Sequence, residues 1–429
     1  MKRFRLIPIL IAFIVFLSSC GAQRATTSTE PLPSDDGAKE ITVELWDNSS
    51  FYEDTAKKFE KETGIKVNVM NIYNDSESLQ DDMSAGLERI QGELMAGKGA
   101  DVYVDIPINY VEIGKSQHLC NLANWITADP DFTDNAYFMN IIESGFDDGN
   151  LYAVPLNMMF NGLGSNIEVP ELDGKSLDWE EFFELTKDIK RSGVLYGISD
   201  DRLFMQRFTD RYTSFIDEEH KSHNLDSPKI VELLEQCKQW SAEGLCIPYD
   251  KETIEAYDDA FFQEFSGNEI CFLTNFRFDP SLNIPFYYDI PSDSGINDKS
   301  NKIWPINYIC INAARQYQGT AWKFLKFLLR EDIQATGYYT PVNRKAAEAH
   351  ISQSLNEIKS FYGVDIDTDQ MSGEYITILD AIDKVPFLFM NNIEQIIYQE
   401  AKRYFNNEVS AEEAAKNMAS AVDLYFKEQ

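Results

Sequence analysis

The sequence predicts an α/β fold whose first sheet is parallel. Three observations carry that expectation. Apolar residues alternate at Ile41, Val43 and Leu45, and again at Ile65, Val67 and Val69. Between the two runs, Tyr52, Ala56 and Phe59 fall on one face of a helical period. The composition of the 429 residues, 44% hydrophobic and 25% charged, is that of a globular chain and leaves out collagen-like and wholly disordered structure. Strand, helix and strand within roughly 30 residues make a βαβ unit, so the two strands are parallel and the crossover is right-handed.

Before that unit lies an address. Lys2, Arg3 and Arg5 precede the apolar run Leu6 to Leu17. A membrane helix needs about 20 apolar residues, so this shorter run reads as the core of a signal peptide. Leu17-Ser18-Ser19-Cys20-Gly21 resembles the lipobox of bacterial lipoproteins, which implies cleavage before Cys20 and acylation of that cysteine with palmitate or a similar chain. Loss of residues 1–19 removes three positive charges and no negative ones, taking the net charge from −33 to −33 − 3 = −36. Residues 22–39 are rich in Thr, Ser, Pro and Asp, and read as a flexible tether.

The folded body follows in order. The first strand ends at Trp46-Asp47-Asn48; Ser50 and Glu53 form a capping box for the helix, and Gly64 stops it. A third strand is expected over 101–105. Ligands of open α/β sheets sit outside the carboxyl ends of the strands, which gathers Trp46, Asp47, Asn48 and Asp105 at one rim. Later helices carry start signals at Asp178 and Glu181, at Thr320, and at Ser410 and Glu413. Their apolar stripes are core.

Charge and cysteine content exclude several partners. With 38 Lys plus Arg against 71 Asp plus Glu, the surface repels nucleic acid and anionic lipid, leaving the lipid anchor as the route to the membrane. Beyond Cys20 stand Cys120, Cys237, Cys246, Cys271 and Cys310, an odd number without paired spacing. No disulfide framework is implied; one bridge, Cys237 to Cys246, is the alternative to buried thiols. Aromatic residues form 13% of the chain, enough to spare rings for stacking on a ligand.

The segments ITVELWDNSSFYEDTAKKFEKETGIKVNV, LMAGKGADVYV, LCNLANWI, GNLYAVPLNMMFNGLGSN, LDWEEFFELTKDIK, INAARQYQGTAWKFLKFLLREDIQ, YYTPVNRKA and SAEEAAKNMASAVDLYF follow one another between residues 41 and 427. In this order they resemble the extracellular solute-binding lipoproteins of carbohydrate ABC transporters, the group that includes the maltose-binding protein. The resemblance implies a two-lobe, periplasmic-binding-protein-like α/β fold, each lobe a sheet flanked by helices, closing like jaws on a sugar. It implies residues 40–155 and 308–340 in the first lobe, and 156–307 with 341–429 in the second. Crossings are expected near Ala153-Val154-Pro155, Trp304-Pro305-Ile306 and Tyr339-Thr340-Pro341. A monomer without a cofactor, which hands its ligand to permease subunits, completes what the resemblance implies.

Sugars are held by flat rings and by planar or charged polar groups. Trp46 and Asp47 are candidates at the rim, with a core tryptophan and a helix-capping aspartate as the alternatives. Asp105, ending its strand, is another. The resemblance adds Asn157 and Phe160 at the start of the second lobe, Arg277 and Phe278 in a later loop, Trp304 in a crossing, and Phe389 near Phe387 where relatives stack a tryptophan. Ser165 replaces a tyrosine usual in that group, which puts contacts there in doubt.

Signals for catalysis are sparse. No serine lies in a Gly-x-Ser-x-Gly turn, His220-Lys221-Ser222-His223 lacks a third metal ligand, and Asp365 to Asp369 begins like a calcium loop but continues with Gln370 instead of glycine. No enzyme and no metal are expected. Two alternatives stand beside the sugar receptor: the same fold binding a polyamine or other cationic solute, and a cell-surface glycosidase, whose chemistry needs only two carboxylates.

Overall fold

A computed structural model describes residues 32–428 apart from 47–49, 73–78, 166–168, 171, 173, 187–194, 197, 219, 248–269, 275–285, 289, 294–302, 338, 363–366 and 383–391. Cys20, Asp47, Arg277, Phe278 and Phe389 therefore lie outside the described residues, as do Phe387 and the first two residues, Asp365 and Ile366, of the calcium-like run.

The strands are β1 (Glu40–Leu45), β2 (Lys66–Asn71), β3 (Val102–Val104), β4 (Val154–Ser165), β5 (Leu195–Tyr196), β6 (Ile216–Asp217), β7 (Ser222–His223), β8 (Cys246–Ile247), β9 (Ile270–Thr274), β10 (Phe286–Tyr288), β11 (Ile303–Ile311) and β12 (Thr340–Pro341). The opening βαβ unit is as the sequence predicts. β1 pairs in parallel with β2 and with β3, and helix Ser50–Thr63 connects the first two. Gly64 ends that helix at φ 74°, a backbone setting open to glycine at no steric cost. The box at Asp178 is reciprocal: the Glu181 N–H donates to Asp178 at 2.8 Å, and the Asp178 N–H donates to the Glu181 carboxylate at 3.2 Å. Helix Gln318–Leu328 starts two residues before Thr320.

β4 organises the molecule. The main sheet runs β2-β1-β3-β11-β4-β9-β5-β8, with β10 and β12 also paired to β4. Met158 in its first half pairs with Pro305 on one side and Thr340 on the other, whereas Ser165 in its second half pairs with Ile270 and Phe286. One continuous strand thus changes partners on both sides along its length. The prolines of all three expected crossings fall on β4, β11 and β12, at the place where these strands meet.

Packing follows the strand period. Val43, Leu45, Val102, Val104, Ile309 and Ile311 face one core, with Phe59, Phe324 and Trp322 from the covering helices. Tyr103, Tyr308 and Cys310 alternate onto the other face, with Ile90, Leu94 and Tyr110. A separate core gathers around Leu163, Trp179, Phe182, Phe204 and Phe208, closed by Ile393, Ile397, Met418 and Val422. Helices Arg344–Tyr362 and Thr368–Asp380 contribute Ile351, Leu355 and Leu379 to the first core, while helices Asn392–Phe405 and Ala411–Glu428 serve the second. Cys120, Cys237, Cys246 and Cys310 are buried free thiols, so Cys237 and Cys246 are not bridged.

The end of the expected tether is not a tether. Residues 32–38 lie on the first lobe, where Leu32 packs on the core and Ala38 is buried. Asp36 accepts hydrogen bonds from the Thr320 N–H at 3.0 Å and the Thr320 hydroxyl at 2.5 Å, satisfying the first turn of helix Gln318–Leu328 from outside. Gly319 permits the approach, since a Cβ there would lie 2.0 Å from the Ser34 carbonyl oxygen. Burial pushes the Asp36 carboxyl up, but the donors of Thr320, Ala38 and Gly319 outweigh it and hold the group below its ordinary 3.8. Asp36→Ala is expected to cost about 0.5–2 kcal/mol at neutral pH, as loss of a helix cap does. A carboxyl with a lowered folded-state pKa stabilises above its unfolded value and loses that contribution as acid drops the pH through the folded one. The melting difference between variant and parent should therefore shrink as the pH falls below the ordinary carboxylate range.

Candidate functional site

The carboxyl ends of β1 and β3 meet the crossing strands in a single row. The Trp46 N–H donates to the Val104 carbonyl at 3.1 Å, and the Asp105 N–H donates to the Tyr308 carbonyl at 2.7 Å. Across β11, Ile306 pairs with Asn157 and Tyr308 with Pro155; across β4, Asn157 pairs with Pro341. Trp46 and Asp105, just past the ends of β1 and β3, are level with Tyr308 and Pro155, and Asn307 on β11 and Asn157 on β4 follow one and two residues further out, so the four form a staggered row. Two of them are set in the left-handed backbone region, Asp105 at φ 60° and Asn307 at φ 53°. Asn and Asp tolerate that region better than other residues but still give up stability for it, and such settings cluster at ligand sites.

Behind the row, polar groups tie the crossing strands together. The Asn157 amide donates to the Tyr339 carbonyl at 3.4 Å, and Gln334 donates to the Leu156 carbonyl at 2.7 Å while accepting from the Asn343 N–H at 2.9 Å. A Cβ on Gly337 would lie 3.9 Å from the Phe51 ring and 4.0 Å from the Asn157 amide, so the start of helix Ser50–Thr63 reaches the same spot. Thr340 is 1% exposed. Among the described residues its hydroxyl has no hydrogen-bond partner at the point where β12 meets β4.

The row is also bridged to the second core. Glu112, in helix Tyr110–Lys115 just beyond β3, accepts a hydrogen bond at 2.7 Å from the amide of Asn392. Beneath it Tyr110 donates its hydroxyl to the Ile106 carbonyl, and burial pushes its phenol well above the ordinary range. It is neutral at any physiological pH.

Of the residues expected from sequence, Trp46, Asp105 and Asn157 come together in the row. Trp304 stays partly exposed on β11, opposite Met159. Phe160 lies in the first core at 1% exposure, edge-on to Tyr375 with centroids 5.3 Å apart. Asn307 and Phe51 were not among the candidates. The clue to Asn307 was an amide residue inside the apolar run Ile306 to Ile311; Phe51, at the start of an amphipathic helix, gave none. His220 pairs with Asp217 at 2.8 Å and His223 with Asp423 at 3.3 Å. Among the described residues no three His, Cys, Asp or Glu side chains gather as metal ligands do. Asp367, from the calcium-like run, caps helix Thr368–Asp380 through the Gln370 N–H at 3.0 Å.

The sequence profile of the bacterial extracellular solute-binding proteins matches residues 54–359. The chain belongs to that family. An extracytoplasmic solute-binding protein with two α/β lobes is therefore in hand, and solved structures share its fold. The sugar-binding protein MalE of Xanthomonas citri is 17% identical, with a TM-score of 0.61 over 90% of this chain and 98% of its own. An ABC substrate-binding protein of Listeria monocytogenes in complex with cycloalternan is 16% identical, with a TM-score of 0.60 over 91% and 99%. An ABC solute-binding protein of Thermotoga lettingae bound with alpha-D-tagatose is 15% identical, with a TM-score of 0.58 over 91% and 100%. No curated protein matches the sequence. At such identities the solute-binding family shares a fold with this chain, and its ligand has to be argued from its own residues.

Proposed function

We propose that this solute-binding protein takes up a mono- or oligosaccharide between its lobes and delivers it to the permease of an ABC importer. The observation that carries the reading is the row of an indole, a carboxylate and two amides across four neighbouring strands at the crossing between lobes. A ring beside planar polar groups suits a polyhydroxylated solute. The sugar ligands of structures with the same fold point the same way. Outside the described part, Asp47 at the expected rim and Arg277, Phe278 and Phe389, which the resemblance assigns, would complete the site, and Trp304 would flank it.

Two further parts of the reading concern architecture. A lipid on Cys20 would hold the body at the membrane surface, as the lipobox implies. Division of the lobes by core membership would assign residues 341–382 to the first lobe, and leave 161–293 with 392–428 as the second. A cationic solute is the second reading, favoured by Asp105 and Glu112 at the rim and by the net charge.

Thermal unfolding of residues 22–429 against glucose, tagatose, maltotriose, spermidine and short peptides tests the proposal. A solute at 100 times its dissociation constant adds about 2.7 kcal/mol of stability. A sugar that shifts the midpoint, with an affinity indifferent to salt, is the expected result; an affinity that collapses with salt would identify the cation reading instead. A chain that no sugar stabilises would sink the carbohydrate proposal.

A further inference from the structure

Asn307 stands out among the polar residues of the row. It is nine-tenths buried, in the left-handed region at φ 53°, and its side-chain amide hydrogen-bonds to nothing among the described residues. Its nitrogen and oxygen are nonetheless not among the buried atoms left without a partner, so the small surface it retains includes its polar end. The contrast with its neighbours is sharp: Asn157, Asn312 and Asn343 are as buried, and each spends its amide on a backbone carbonyl.

The backbone setting has a local consequence. β11 keeps one register against β4 on both sides of Asn307, Ile306 with Asn157 and Tyr308 with Pro155, but Asn307 itself makes no pair. Its main chain is turned out of the ladder between the end of β3 and the middle of β4. Glycine would sit there at less cost if only the turn mattered. The left-handed setting is costly for the fold, and an amide whose polar end opens outward without an internal partner returns nothing to it.

We infer that Asn307 is a ligand-binding residue, whose amide donates to and accepts from hydroxyl groups of a neutral polyhydroxylated solute at the floor of the cleft. The inference rests on the receptor reading above and sharpens it. An amide offers both donor and acceptor at once, which matches a hydroxyl pair and gives a cation nothing but one oxygen. Asp105, one strand away, supplies an acceptor for the same solute.

Asn307→Gly separates this role from a structural one, since glycine keeps the left-handed turn and removes the amide. The variant should unfold at the same temperature as the parent or higher, and bind the sugar that stabilises the parent most about tenfold or more weakly, the loss of one or two hydrogen bonds. Asn307→Asp, equal in size, should lose affinity for that sugar as well, because a donor becomes a charge. A glycine variant with unchanged affinity overturns the inference while leaving the receptor reading intact, and so does one that loses stability but binds as before. If aspartate instead tightens binding of spermidine, the neutral-solute assignment is wrong. A parent chain that answers to no solute of the panel counts against the receptor reading itself.

Discussion

Replacing Arg207 by alanine lowers the unfolding free energy by about 3 kcal/mol, the low end of what breaking a buried ion pair costs. Arg207 is fully buried in helix Asp200–Asp210. Its Nε donates to Asp293 at 2.6 Å, Nη1 donates to Gln236 at 2.9 Å, and the guanidinium lies 4.7 Å from the Trp240 ring centroid. The Asp293 side chain is itself 1% exposed, so truncation of the arginine strands a carboxylate that water cannot reach. Arg211, at 3.0 Å, keeps one charge beside it, which is why the expected loss is at the lower end. Urea unfolding of the variant measures the loss. The double variant Arg207→Met with Asp293→Leu should recover most of it, because the attraction of a buried pair scarcely exceeds the cost of desolvating it. A loss under about 1 kcal/mol for the single variant would show that the pair is solvated.

Phe59→Ala should cost the first lobe about 3–5 kcal/mol, the usual range for emptying a core phenylalanine site. The ring is wholly buried and meets Phe324 and Phe327 edge-on, with centroids 5.2 and 5.1 Å apart, so the aromatic contacts go as well. The two variants together test how the lobes are coupled. Arg207 and Phe59 lie by different cores, yet β4 contributes residues to both, Val154 to Phe160 to one and Leu163 to the other. If that shared strand makes unfolding cooperative, each variant shifts one common transition, seen alike by circular dichroism and tryptophan fluorescence. Two separated transitions, each moved by only one of the variants, would mean that each lobe unfolds alone.

Much of this architecture was legible in the sequence because local signals and tertiary demands agree. Alternation at Ile41, Val43 and Leu45, the glycine after Thr63 and the reciprocal cap at Asp178 each specify an element by themselves. The prolines at 155, 305 and 341 drew attention to strands that turn out to be neighbours, although nothing local says that Val154–Ser165 is one strand with different partners along its two halves. What could not be read were features set by contacts distant in sequence. Ser34 and Asp36 have the composition of a linker; only their approach to Gly319 and Thr320, some 280 residues on, makes them structure. Phe160 looked like a cleft aromatic until Tyr375 covered it. Asn307 is an ordinary asparagine until its backbone angle and its idle amide are known.

The docking of residues 32–38 changes what an anchor at Cys20 would do. With that segment fixed on the first lobe, the chain between Cys20 and Leu32 can span at most about 40 Å, however it is arranged. A hemisphere of that radius holds one molecule at an effective concentration on the order of 10 mM. Beside a membrane partner within that reach, a receptor so confined would need no more than millimolar affinity to stay engaged, and could still let go.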